Sequence, residues 1–382
     1  MTHSIIAPSS AARRRQCSMS TTAEAQFPDA NRQEAADGEA AHWALARMLG
    51  GHVVTVGEQA ANGVFLTDAM VDGAEVMFDD VVRELAPCHL LPSAGAIEQL
   101  VRIPRVHPRA FGTPDFRVWL PTAKPTLLLY DFKFGHRIVD VYENAQCIEY
   151  VAGVLPEAEA QGWSDLDIRV RVKIVQPRAY NRGGTIREWS FMASDIRPHI
   201  NLSSHAAHEA LGPAPVARTG PECQDCRARH ACPTLQRSAY RAIDESSREQ
   251  PHELPPEALA LELDIVTTAL ERLNARHIGL MEQALTMATK QGRKLPGWTV
   301  EHGVGRKRWA KPDASVILMG QLAGVTLAKP VEPITPKQAE AAGFPFHAFP
   351  DLVETPRSAA ALVRDDGSKA ARVFGMVRNL GD

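Results

Sequence analysis

Thr126-Leu127-Leu128-Leu129-Tyr130-Asp131-Phe132-Lys133 is apolar at first and then carries two opposite charges two residues apart. A short apolar run that closes on charges reads as a buried strand emerging at a polar edge. Side chains at i and i+2 of a strand share a face, so Asp131 and Lys133 can meet the same ligand. Upstream, Gly112-Thr113-Pro114-Asp115 marks a turn, after which Asp115 opens a second short strand, Phe116–Leu120. Ile97–Ile103 alternates like a strand and places Glu98 as a third acid. A hairpin with exposed charges accounts for Asp131 and Lys133 equally well until their context is met.

That context follows in Gln146-Cys147-Ile148-Glu149-Tyr150, where a helical pattern sets Gln146 and Tyr150 one turn apart on one face. An ordinary amphipathic helix with a tyrosine in its core has the same pattern. The residue types suit phosphodiester hydrolysis. A divalent metal polarises the phosphate and lowers the pKa of the attacking water. Mg²⁺ prefers carboxylate oxygens and keeps several waters, so two or three acids suffice. A nearby lysine can position or deprotonate the water and offset phosphate charge.

Taken in order, Pro114-Asp115, Asp131-x-Lys133 and Gln146-x-x-x-Tyr150 resemble the signature of the PD-(D/E)XK nuclease superfamily, in its RecB-like branch. The resemblance implies an α/β, restriction-endonuclease-like core, with a central mixed β-sheet flanked by helices. It implies that Asp115 and Asp131 hold Mg²⁺ or Mn²⁺, that Glu98 supports them and that Lys133 orients the water. Gln146 and Tyr150, and less specifically Asn144, would contact DNA.

Six cysteines are present, and three of them form Cys223-x-x-Cys226-x₅-Cys232. Clustered cysteines in a chain of this size, with no secretory signal, point to metal or redox chemistry rather than a disulfide scaffold. Three thiolates need a fourth ligand, and Cys17 is the distant candidate. The resemblance extends to iron–sulfur nucleases of the AddB type, in which one cysteine precedes the nuclease motifs and three follow them. It implies a [4Fe–4S] cluster on Cys17, Cys223, Cys226 and Cys232. Zinc is the alternative, with His230 inside the cysteine loop as a possible ligand. Cys88 and Cys147 read as buried thiols.

His42 lies on an alanine-rich, helix-patterned stretch, Gly38–Leu49. A lone helical histidine is usually structural, but RecB-like nucleases carry one on an N-terminal helix that reaches the metal, and His42 stands in that order. His52, His89, His107 and His136 have no comparable context.

With 382 residues, 23% charged and 45% hydrophobic, the composition is that of an ordinary globular protein, and the net charge of −3 hides any basic surface. Arg102, Arg105, Arg109 and Arg117 surround the first motifs, while Lys173, Arg178, Arg182 and Arg187 follow the helix. They could form a cationic groove or simply be solvated loop charges. No stretch reaches the length of a membrane span. Arg13-Arg14-Arg15 in a serine- and alanine-rich start has the flavour of a transit segment, but cleavage would discard Cys17. A cytoplasmic protein of a bacterial host or a phage is the better expectation.

Along the chain, Met1–Asp37 looks mostly irregular. Helices are expected from Glu39 to Leu49 and within Asp68–Leu85, and strands over Ile168–Gln176, with one basic face, and Ile186–Met192. Pro213-Ala214-Pro215 and Pro251–Pro256 mark breaks. A long amphipathic helix should run from Glu257 to Gln291, ended by Gly292 and Pro296-Gly297, with a hairpin over Trp298–Trp309. This predicts a nuclease domain over residues 1–250 and a helical accessory domain over 251–382. The whole order resembles one bacteriophage and prophage family of RecB-like proteins. The expectation is a DNA exonuclease in recombination or DNA processing, with a phage single-strand annealing or helicase protein as candidate partner and no membrane role. The alternative is a catalytically silent nucleic-acid-binding or assembly protein on the same fold.

Overall fold

Every residue from Thr126 to Phe132 is buried in the computed structural model, which describes residues 4–27, 33–181, 183–246, 254–300 and 313–322. The helices, in chain order, are α1 (Ala11–Gln16), α2 (Met19–Glu24), α3 (Gln33–Leu49), α4 (Asp68–Leu85), α5 (Ala145–Glu159), α6 (Arg197–Leu211), α7 (Pro233–Ser246), α8 (Pro256–Lys290) and α9 (Asp313–Leu322). The strands are β1 (Ala96–Ile97), β2 (Val101–Arg102), β3 (Phe111–Gly112), β4 (Phe116–Leu120), β5 (Thr126–Phe132), β6 (Arg169–Val175) and β7 (Ile186–Met192). They form a five-stranded sheet ordered β1-β4-β5-β6-β7 and a two-stranded β2–β3 ribbon. Within the larger sheet only β5 and β6 are parallel. The fold is therefore α/β with a mixed sheet.

Strand alternation decides what each face meets. Leu127 and Leu129 point to the side covered by α5 and α6, together with Val170, Val172 and Ile174 of β6. Leu128, Tyr130 and Phe132 point the other way, toward α3 and α4. Burying one such leucine contributes about 2 kcal/mol. α4 supplies Met70, Val71, Ala74, Met77, Val81 and Leu85, all buried and at helical spacing. α5 is the crossover between the parallel strands, as a parallel pair requires. It starts where the Asn144 side chain accepts the Cys147 amide at 3.1 Å.

Three expectations change. The N-terminal stretch is not irregular, because α1 and α2 lie within it and pack on α5 and α6. Arg13 pairs with Glu24 at 3.0 Å, Arg14 is fully buried against Glu149 at 2.6 Å, and Arg15 donates to Ser203 at 2.8 Å. The arginine run is thus built into the core. Ile97–Ile103 is not one strand either. Ile97 pairs with Phe116 in the large sheet and Val101 pairs with Gly112 in the ribbon, so the chain changes sheets at Glu98.

The third change concerns the expected domain boundary at residue 250. The first compact unit runs from Met1 to Glu301, because α8 packs back on α7 and on the cysteine segment. A Cβ at Gly279 would lie 2.8 Å from Arg229 Cγ and 2.9 Å from the His230 amide nitrogen, so only glycine permits this approach. The second unit, His302–Asp382, contributes α9 to the described residues. Apart from Trp298–Val300, the expected hairpin over Trp298–Trp309 lies outside them, as does most of the C-terminal region.

Candidate active site

Lys133 stands just beyond β5, yet its amide still donates to the Val175 carbonyl at 2.9 Å. The extended backbone therefore persists, and Lys133 keeps the face of Asp131. Lys133 Nζ lies 3.1 Å from Asp131 Oδ1 and 2.9 Å from Oδ2. Gln146, in the first turn of α5, completes a ring: its amide nitrogen donates to Asp131 Oδ1 at 3.0 Å and its carbonyl accepts from Lys133 at 3.1 Å. The same nitrogen lies 3.2 Å from the Tyr150 hydroxyl, one turn along. Tyr150 is buried and packs beside Gly112, where a Cβ would lie 2.8 Å from both its ring and Pro8. The glycine of the Gly-Thr-Pro-Asp turn is thus a packing requirement.

Asp115 sits at the mouth of β4. Its Oδ2 accepts the Phe132 amide at 2.6 Å, and its Oδ1 lies 2.9 Å from His42 Nδ1 on α3. Glu98 arrives from the turn between β1 and β2, its amide donating to the Asp115 carbonyl at 3.1 Å. Its φ of 43° is left-handed, a conformation that costs a non-glycine residue roughly 1–3 kcal/mol and that tends to persist at functional sites. One donor atom each from His42, Glu98 and Asp115 lies within 4.8 Å of the others, which no other group of three potential ligands achieves among the described residues.

The charges are unequal by position. Burial resists ionisation of Asp115, but His42, Lys133 and the Phe132 amide hold its carboxyl below the usual range. Burial pushes Asp131 up, and neighbouring Asp115 adds to this against the pull of Lys133. Glu98 is raised by burial and then by Asp115. Lys133 and His42 are raised despite burial, chiefly by Asp131 and by Asp115 respectively. Asp131 and Glu98 are thus costlier to ionise than solvated carboxyls, a cost that added positive charge would offset. Asp131 Oδ2 is shut from solvent, with the Lys133 ammonium 2.9 Å away.

All the candidate catalytic residues except Asn144 meet here. Asn144 is the cap of α5, with its carbonyl on Cys147 and its amide on the Asp140 carbonyl at 2.8 Å. Asp131 stands apart from the His42–Glu98–Asp115 trio, because Lys133 and Gln146 tie it. Gln176 was not foreseen. It is buried at the end of β6, accepts the Val139 amide at 3.1 Å and donates to the Gly135 carbonyl at 3.0 Å, fixing the loop that follows Lys133. A lone polar amide closing an alternating strand was its only signal.

The expected cationic groove is partly neutralised, since Arg117, Arg105 and Lys173 each meet an acid. Arg117 pairs with Glu157 at 2.6 Å, Arg105 with Glu159, and Lys173 with Asp80 at 2.7 Å. Arg187 donates to Gln176 at 2.8 Å, and Arg178 stacks over Phe134 at 4.5 Å. Arg102 and Arg109 are exposed, and Arg182 lies outside the described residues.

Cys17, Cys223, Cys226 and Cys232 line one pocket, with Arg13, Arg218 and Arg229 beside them. Three of these sulfurs accept backbone amides: Cys17 from Arg218 at 3.4 Å, Cys223 from Gly220 at 3.4 Å, and Cys232 from Leu235 at 3.5 Å. Gln16 Nε2 approaches Cys223 Sγ at 3.7 Å. Burial and then Glu24 push the Cys226 thiol up to about 12. His230 is not among the lining residues, and its ring instead meets Phe27 edge-on at 4.5 Å. Cys147 is buried as expected, and Cys88 is half-buried.

No helix among the described residues is long and apolar enough to cross a membrane. The chain belongs to the DUF2800 family, described as a protein of unknown function, whose model matches residues 3–368. A search of curated proteins found no match.

Proposed function

We propose that the chain is a Mg²⁺- or Mn²⁺-dependent DNA nuclease built on the RecB-like form of the PD-(D/E)XK core. The observation that carries this reading is the meeting of His42, Asp115, Asp131, Lys133 and Gln146, from separate segments of chain, at one end of β5. The donors of the trio are carboxylates with one imidazole, a set that suits a divalent cation. Asp115 and His42 would hold it, with Glu98 and Asp131 supporting. When bound, such a cation supplies Lewis acidity to a phosphate oxygen and an activated water.

The chain's own groups divide the remaining work. Lys133 stays cationic, so it orients the attacking water and offsets phosphate charge rather than taking a proton. Gln146 fixes Asp131 and Lys133 relative to each other. Tyr150, raised well above its ordinary range by burial and then by Asp131, keeps its proton and, buried beside Gln146, holds that amide in place. A silent binding protein has no need of a lysine held against a buried acid, which argues against the rival reading.

The same reading assigns a structural [4Fe–4S] cluster to Cys17, Cys223, Cys226 and Cys232. Amide hydrogen bonds to sulfur and nearby arginines suit ligating thiolates. Tetrahedral zinc on the same four sulfurs is the alternative. An exonuclease of phage or prophage recombination, in a reducing cytoplasm and beside an annealing or helicase protein, is the setting this implies.

The test is cleavage of linear single- and double-stranded DNA with Mg²⁺ or Mn²⁺. Lys133→Ala should lower the rate by at least about a hundredfold with an unchanged circular dichroism spectrum. A wild-type chain inactive on both substrates, or a Lys133→Ala variant that cuts as well as wild type, overturns the reading.

A further inference from the structure

Three acids stand on α5, and they differ in burial. Glu157 and Glu159, near its end, face arginines across a partly solvated surface, with 42% and 45% of their side chains open. Glu149 is fully enclosed, and so is its partner Arg14 on α1, 2.6 Å away. The second terminal nitrogen of Arg14 donates to the Ala7 carbonyl at 3.2 Å and to Ser10 Oγ at 3.1 Å. Pro8, in the same turn, packs at Gly112 beside Tyr150. The pair therefore ties the active-site helix to the start of the chain.

Sealing two charges from water is costly, and an apolar pair of similar volume often serves stability as well or better. What an apolar pair does not supply is direction. Ile148, Val151, Val154 and Leu155 pack α5 on the sheet through contacts that tolerate sliding. Glu149 lies three residues from Gln146, on the same side of the helix, so a rotation or slide of α5 carries both. Gln146 bonds Asp131 at 3.0 Å and Lys133 at 3.1 Å. A displacement of about 0.5 Å takes such bonds past hydrogen-bond range.

We propose that Arg14 and Glu149 are positioning residues for the active site: their pair fixes the rotation and axial setting of α5 and so holds Gln146 on Asp131 and Lys133. The inference rests on the nuclease reading of that site. Both residues act through α5, since their own bonds run to each other and to the turn at residues 7–10.

The test is steady-state cleavage of DNA by the full chain with Mn²⁺, with melting temperature and circular dichroism read on the same preparations. Arg14→Met combined with Glu149→Met keeps similar volume and removes both charges. This double variant should melt within a few degrees of wild type, while kcat falls at least about tenfold at unchanged KM. Adding Gln146→Leu to it should lower kcat little further, because both changes undo one alignment. Arg14→Lys keeps the charge without the fork and should show a smaller fall of the same kind. A folded double variant with wild-type kcat overturns the proposal, as does a loss that multiplies in full with that of Gln146→Leu. Where the double variant does not fold, a wild-type kcat in Arg14→Lys overturns it. An inactive wild type instead overturns the nuclease reading, and this inference with it.

Discussion

Asp131 is held by two different kinds of partner. Lys133 supplies charge, and Gln146 supplies a directed amide that also reaches Lys133 and Tyr150. Removing charge and removing direction should therefore have different signatures. Gln146→Leu leaves Asp131 paired with Lys133 but free to rotate, so kcat should fall roughly tenfold or more while KM changes little. Steady-state kinetics on a short DNA duplex reads this split, and a rise in KM at constant kcat would mean that Gln146 grips the strand instead. The spacing of Gln146 and Tyr150 was legible as one helical face, yet it suggested a surface turned toward DNA. The sequence carries no record of how far a side chain must reach, and in the fold Tyr150 is buried while Gln146 bonds to the acid itself.

Between α4 and β6 the sheet hides a charged layer. Lys173 and Asp80 are buried, Tyr130 donates to Asp80 at 2.6 Å, and Arg171 grips Glu84 at 2.6 and 2.9 Å and Glu188 at 2.7 and 2.8 Å. Burial opposes ionisation of Glu84, but Arg171 and Lys173 bring its carboxyl down to about 2 from an ordinary 4.5. A carboxyl lowered in the folded state adds stability above the unfolded value and loses it as pH falls through the folded one. That loss should run from pH about 4.5 to about 2, and because Glu84 is partly solvated it should amount to about 1 kcal/mol. Urea unfolding across this range should show Glu84→Gln with a flatter acid limb than wild type. An equal slope would mean that the pair contributes nothing on folding. Elements defined by local rhythm, such as α4, β4, β5 and α8, were legible nearly to the residue. The basic face of β6 was misleading, because alternating cations look alike whether solvated or paired. The acids that neutralise Lys173 lie 89 and 93 residues away.

Residues 4–24 form a strap over the rest of the first unit. Ile6 bridges to Ala110, Pro8 packs at Gly112, Arg14 is sealed against Glu149, and Ser18 exchanges hydrogen bonds with Val216. The Arg227 amide donates to Glu24 at 3.0 Å, which brings the strap to the cysteine loop. If Cys17 shares a cluster with Cys223, Cys226 and Cys232, Cys17→Ser should release iron as fully as Cys226→Ser and lower the melting temperature alike. Iron, sulfide and zinc assays on anaerobically purified protein decide this. Stoichiometric zinc with an indifferent Cys17 would remove the cluster while leaving the nuclease reading intact. The separation of Cys17 from its partners was legible only by resemblance, since loop closure over some two hundred residues leaves no local trace. The strap also sets a timetable for synthesis. Glu149 leaves the ribosome 135 residues after Arg14, and Arg227 203 residues after Glu24. At about 5–20 residues per second, the nascent chain spends roughly 10–40 s with its first segment undocked. The anchors at Glu149, Val216 and Arg227 can therefore form only once those residues have been made, and a truncated translation product that ends before residue 227 is left without the strap's last hold.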